Sequence, residues 1–97
     1  MYFYLQADTP ATATQTWRGR QLGAARHAHT DADEDLGASL DYRIKAGQAV
    51  QVKVGISFVS LAQARRNAEQ EIPGWNFAAT RAKAVALWNQ ALSRIEI

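Results

Sequence analysis

Residues 31–37 read DADEDLG and set Asp31, Asp33 and Asp35 at alternate positions. Carboxylates in that pattern suit a hard cation such as calcium, which prefers oxygen ligands. A helix-loop-helix calcium loop beginning at Asp31 would need glycine at its sixth position and glutamate at its twelfth. Those positions hold Leu36 and Tyr42. The pattern fails at both, so a solvated acidic loop is expected, with Asp31, Asp33 and Asp35 left as the metal candidates. His27 and His29 are spaced so that a strand would put both imidazoles on one face. Zinc needs a third ligand, and only Asp31 extends the alternation. A surface pair is the expected reading.

Three tryptophans could stack on a flat ligand, since an indole face packs on a sugar ring. Trp88 lies in a helical apolar stripe and is expected in a core. Trp75 follows Pro73-Gly74 and is expected to close a corner between helices. Trp17 has no such explanation and is the candidate for a carbohydrate or a partner domain. Glu69 and Glu71 could do acid-base work, but Glu69 stands one helical turn from Arg65. The chain has no nucleophile elbow, glycine-rich phosphate loop or zinc-protease motif.

The 97 residues suit one small domain or part of a larger one. A chain of that size buries little more than ~60% of its unfolded surface, so its own stability is marginal. The net charge of +2 is carried by residues 60–97, while residues 1–59 balance. A nucleic-acid binder shows a dense basic face. Here Arg65 and Arg66 are the adjacent basic pair, Arg81 and Lys83 lie further on, and Glu69 and Glu71 interrupt them. No nucleic-acid partner is therefore expected. There is no cysteine, which excludes disulfides and thiolate metal sites. No apolar run approaches the ~18 residues of a membrane span, and the first residues lack a secretory leader's pattern. A strand-like run begins at once after Met1, as in a piece of a longer protein.

The elements change character along the chain. Residues 2–7 read as a strand, with Phe3, Leu5 and Ala7 on one face. Residues 11–17 alternate Ala and Thr and end on Trp17, which favours extended backbone. Residues 24–37 are polar and aperiodic, as in an exposed loop of the kind that often carries function. Leu40, Tyr42 and Ile44 share one face of a run over 38–45. Val50, Val52, Val54, Ile56 and Phe58 share one face over 49–59. These two runs are expected to form a hairpin with one buried face. At Ser60 the rhythm becomes helical. Ser60 and Gln63 fit a capping box, and Leu61, Ala64, Ala68 and Ile72 make one stripe. Pro73-Gly74 ends that helix. Asn76 caps a second, whose stripe is Val85, Trp88, Leu92 and Ile95. The fold class is α+β: antiparallel β-strands, part of a β-sandwich, followed by two α-helices.

The run VKVGISFVSLAQARRNAEQEIPGWNF, followed by ATRAKAVALWNQALSRIEI, resembles a segment of glycoside hydrolase family 92. The matching residues are Gly55, Ile56, Ser57, Val59, Ser60, Gln63, Ala64 and Asn67. The match continues through Glu71, Ile72, Pro73, Trp75 and Phe77 to Trp88, Asn89, Leu92 and Ile95. Ala68 and Asn76 depart from it, where leucine and aspartate are common. The resemblance is specific over about 48–97 and looser over 1–47.

The resemblance implies a calcium-dependent, inverting, exo-acting α-mannosidase, of the α-1,2 type, secreted or periplasmic. It implies that an N-terminal β-sandwich is joined by linker helices to an (α/α)6 barrel. Residues 1–59 would then be the sandwich portion and 60–97 the two-helix linker. The barrel and mannose-containing glycans would be the partners. An inverting glycosidase holds two carboxyl groups about 6.5–9.5 Å apart. The resemblance puts both, and the calcium ligands, in the barrel. No catalytic residue and no cofactor are therefore expected within the 97 residues. The alternative is a free-standing glycan- or protein-binding module using Trp17 and the 24–37 loop.

Overall fold

The computed structural model describes residues 1–30 and 34–95. Five strands precede two helices: β1 (Tyr2–Ala7), β2 (Ala13–Arg18), β3 (Gln21–Gly23), β4 (Leu36–Asp41), β5 (Val52–Ser57), α1 (Leu61–Glu71) and α2 (Phe77–Leu92). The α+β order expected from the sequence is the order observed. The chain divides into two compact units, Ala7–Gln51 and Met1–Gln6 with Val52–Ile97.

The first unit is a three-stranded antiparallel sheet in the order β3-β2-β4. Gly19, at φ +57°, turns β2 into β3 with Arg18 opposite Gln21. Along β2 and β4, Trp17 faces Gly37 and Thr14 faces Leu40. Thr16 is buried and donates from Oγ1 to the Ala25 carbonyl, 2.9 Å, which holds part of the aperiodic loop. Thr12 donates its amide and its hydroxyl to the Asp41 carbonyl, each at 2.8 Å. The Tyr42 hydroxyl donates to the Thr9 carbonyl at 2.7 Å.

The expected hairpin between 38–45 and 49–59 does not form. β4 pairs with β2, and β5 pairs with β1 in a separate two-stranded sheet. The turn at Ala46-Gly47 exists, with Gly47 at φ +81° and the Gln48 amide donating to the Lys45 carbonyl. It closes only a local loop: β4 ends at Asp41, before the turn, and pairs with β2. Alternation identifies a strand and its faces; it does not choose the neighbour.

The second unit contains β1, β5 and both helices. α1 lies on β5. The side of β5 that it covers carries Lys53, Gly55 and Ser57, all buried. The aliphatic side, expected to be buried, is open: Val52, Val54 and Ile56 are 51%, 49% and 53% exposed. The reason is steric. A helix approaches a strand closely only where side chains are small, and Gly55 with Ala64 and Ala68 supplies that path. Ala64 and Ala68 are the buried apolar residues of the described chain. No described residue of α2 is buried. Trp88, expected in a core, is 67% exposed.

Candidate functional site

The motif residues of 55–75 converge on the strand-to-helix joint. Gly55 is the point of closest approach. A Cβ placed there would collide with the Ala64 carbonyl oxygen and stand 2.8 Å from the Ala68 Cβ. Ser57 folds its hydroxyl under the turn that follows, accepting from the Val59 amide at 2.9 Å and the Ser60 amide at 3.4 Å. Ser60 is extended, at φ −164°, and its Oγ accepts from the Gln63 amide at 3.0 Å. This is an N-cap satisfying one of the donors a helix start leaves free. The reciprocal half of the expected capping box is absent. The Gln63 side chain instead donates forward to Asn67 Oδ1 at 2.8 Å, and Asn67 Nδ2 donates to the Ile56 carbonyl at 2.9 Å. Helix and strand are thereby tied by a side-chain bridge besides the glycine contact.

The far end of α1 is held from the same strand. Lys53 is 8% exposed, and its Nζ donates to the carbonyl of Ile72, the C-cap, at 2.9 Å. The same nitrogen lies 4.4 Å from the centroid of the Trp75 ring. A cation beside the last carbonyls of a helix is favourable, and an indole face attracts it further. Trp75 therefore closes the corner after Pro73, as its position predicts. Asn76 then caps α2, accepting from the Ala79 amide at 3.0 Å. On the outer side of α1, Arg65 donates to Glu69 at 2.9 Å and stands 5.7 Å from the Tyr4 ring. The hydrogen bond from Arg65 to Glu69, then the charge of that carboxylate, raises the guanidinium pKa.

Among the described residues, those singled out for chemistry do not assemble into one site. Glu71 is exposed beside a groove of about 180 Å³ lined by Val54, Ile56 and Asn67, while Glu69 is paired with Arg65. His27 and His29 are exposed in the 24–30 stretch. Asp31 and Asp33 lie outside the described residues. Asp35 is exposed, and its carbonyl accepts from the Gly19 amide at 2.7 Å. Among the described residues, no three His, Asp or Glu side chains come together as a cation would require. Trp17 is half-buried, with its indole laid across Gly37, where a Cβ would collide with Cζ2 and Cε2. An aromatic ring over a cross-strand glycine is a recognised way to fill the gap that glycine leaves. No helix among the described residues is long and apolar enough to cross a membrane.

Sequence reading singled out Gly55 and Ser57 through the family pattern alone. It missed Lys53 as a contributor. The available signal was a lysine on a strand whose neighbours on that face are glycine and serine.

The family comparison falls on the helices that follow this joint. The family model described as the glycosyl hydrolase family 92 catalytic domain matches residues 63–97. The chain is also 42% identical over 50 residues to a protein of Arthroderma benhamiae named "Uncharacterized secreted glycosidase". That alignment covers 50% of this chain and 6% of the fungal protein. The resemblance drawn from the motif residues is thus borne out over α2 and most of α1. No solved structure matches the chain.

Proposed function

We propose that this chain is the joint of a secreted glycoside hydrolase, a support for the catalytic body and not its reaction centre. Residues 1–59 are the closing part of a β-sandwich, and residues 60–97 connect it to the sugar-cleaving domain. The observation that carries this reading is the inverted burial of β5. Its polar and small residues are covered by α1, while Val52, Val54 and Ile56 stay open. An aliphatic sheet face is expected to be covered in a finished protein, and a second sheet layer would cover it. The uncovered stripe of α2 extends the argument to the other side. The family match supports assigning α2 to the border of the catalytic domain.

The parent reaction is inverting hydrolysis of terminal α-mannosides, of the α-1,2 type, with calcium. The acid, the base and the calcium ligands belong to the rest of the parent polypeptide. The fungal relative's printed name supports the glycosidase class and a secreted location.

The test is direct. The pure 97-residue chain, given aryl α-mannosides and α-1,2-mannobiose with millimolar calcium, releases no mannose. The full parent polypeptide releases mannose of inverted configuration. Turnover by the pure chain, or a parent that cleaves no α-mannoside, overturns the reading.

A further inference from the structure

Lys53 is the one described lysine or arginine with both burial and an aromatic neighbour beneath a helix end. Among the described residues no carboxylate is paired with it. A buried ammonium without an anionic partner is costly, so its position needs a compensating contact. Two are present. The Ile72 carbonyl is one of the acceptors that α1 leaves open at its C-terminus, and it takes a hydrogen bond from Nζ at 2.9 Å. The Trp75 ring presents its electron-rich face to the same nitrogen at 4.4 Å. Ile72 and Trp75 bracket Pro73-Gly74, the break between the helices. A Cβ at Gly74 would meet nothing within 4 Å, so the break is open on that side.

From this we infer that Lys53 is a positioning residue: its charge latches the Ile72–Trp75 corner to β5 and so sets the direction in which the chain leaves α1. The inference deepens the joint reading and rests on it for its functional meaning. Charge is the operative property, because an apolar side chain of the same length would fill the space but leave the Ile72 carbonyl without this donor. Pro73 only stops α1; the lysine determines where the following tryptophan comes to rest.

The test uses the full chain with Trp17→Phe and Trp88→Phe, leaving Trp75 as the fluorophore. Lys53→Met is compared with Lys53→Arg, since arginine can still donate to a carbonyl and stack on an indole. The expected result is a red-shifted Trp75 emission and at least a twofold rise in acrylamide quenching in Lys53→Met. Helical circular dichroism stays unchanged, and Lys53→Arg lies close to the parent. Unchanged quenching in Lys53→Met, or arginine behaving as methionine does, overturns the latch. So does a loss of helicity that parallels the change in quenching. If Lys53→Met does not fold, the unmutated chain decides by NMR. The ε-methylene protons of Lys53 must be shifted upfield by the Trp75 ring and return to ordinary positions in Trp75→Leu. Unshifted protons overturn the proposal. No sugar enters these measurements, so their failure leaves the glycosidase reading standing, and turnover by the pure chain leaves the latch standing.

Discussion

Gly55 lies directly beneath the backbone of Ala64, so close that a single methyl group on the strand would overlap the helix carbonyl. This contact sets how near α1 comes to β5, and the hydrogen bond from Asn67 to Ile56 depends on it. Gly55→Ala must push the helix outward or strain the strand. Overpacking of this kind costs about 1–3 kcal/mol, and backbone on both sides puts this site at the upper end. Thermal unfolding followed by circular dichroism should show a melting point lower by about 10 °C or more, given roughly 4–8 °C per kcal/mol in a domain this small. An unchanged melting point would mean the close approach is not maintained in solution.

Ser60 starts α1, and its hydroxyl is the acceptor for the Gln63 amide. Removing an N-cap serine costs about 1 kcal/mol, with the range from about 0.5 to 2. Ser60→Ala is expected to destabilise by about that amount, and Ser60→Asp to restore nearly all of it. Because the expected capping box is only half built, Gln63→Ala tests a different bond, the one to Asn67 Oδ1. Its cost should therefore depend on Asn67. In a double-mutant cycle, Gln63→Ala and Asn67→Ala should give a coupling of about 0.5 kcal/mol or more. Strict additivity would break the proposed bridge.

How much of this was legible in the residues depends on what each pattern encodes. Ser60, Pro73 and Asn76 act through their own backbone or the next turn, so local rules placed both helix starts and the end of α1 to within a residue or two. The alternation of 49–59 correctly marked a strand, but its faces were assigned by hydrophobicity alone. Which face a helix covers also depends on bulk, and the glycine and alanines at 55, 64 and 68 outweighed the pull of Val52, Val54 and Ile56. The pairing of β4 with β2 was hidden because strand partners are chosen by distant contacts. Lys53 was hidden for a related reason: its acceptor is a backbone carbonyl 19 positions away, and a carbonyl carries no residue-type signature.

Arg65 and Glu69 form an exposed ion pair on the outer side of α1. Such pairs contribute only slightly in a helix and are screened by salt. Glu69→Ala should lower stability by no more than that, and the difference should shrink in 1 M sodium chloride. The raised guanidinium pKa adds stability that is fully present below the ordinary arginine value and lost only as pH rises through the higher folded one. Between pH 5 and pH 9 the pair should therefore produce no pH dependence through its arginine. A larger effect, or one insensitive to salt, would show that Arg65 does more through Tyr4 than this geometry implies.

The open aliphatic residues of β5 and the stripe of α2 make a last claim, about the 97-residue chain by itself. Val54 and Trp88 are 49% and 67% exposed, and neither is enclosed by other described residues. Replacing an exposed apolar side chain by a charged one away from special features changes stability by less than about 0.5 kcal/mol, whereas it strongly reduces association through apolar patches. Val54→Lys with Trp88→Glu should therefore leave the melting point nearly unchanged at low concentration. Light scattering at high concentration should fall, and so should the fluorescence of a hydrophobic dye. In the full parent polypeptide the same pair should be harmful, because a lysine and a glutamate would face covering layers. A pair that is harmless in both settings would mean that neither surface is covered in the parent. A pair that unfolds the short chain would mean that these side chains already stabilise it.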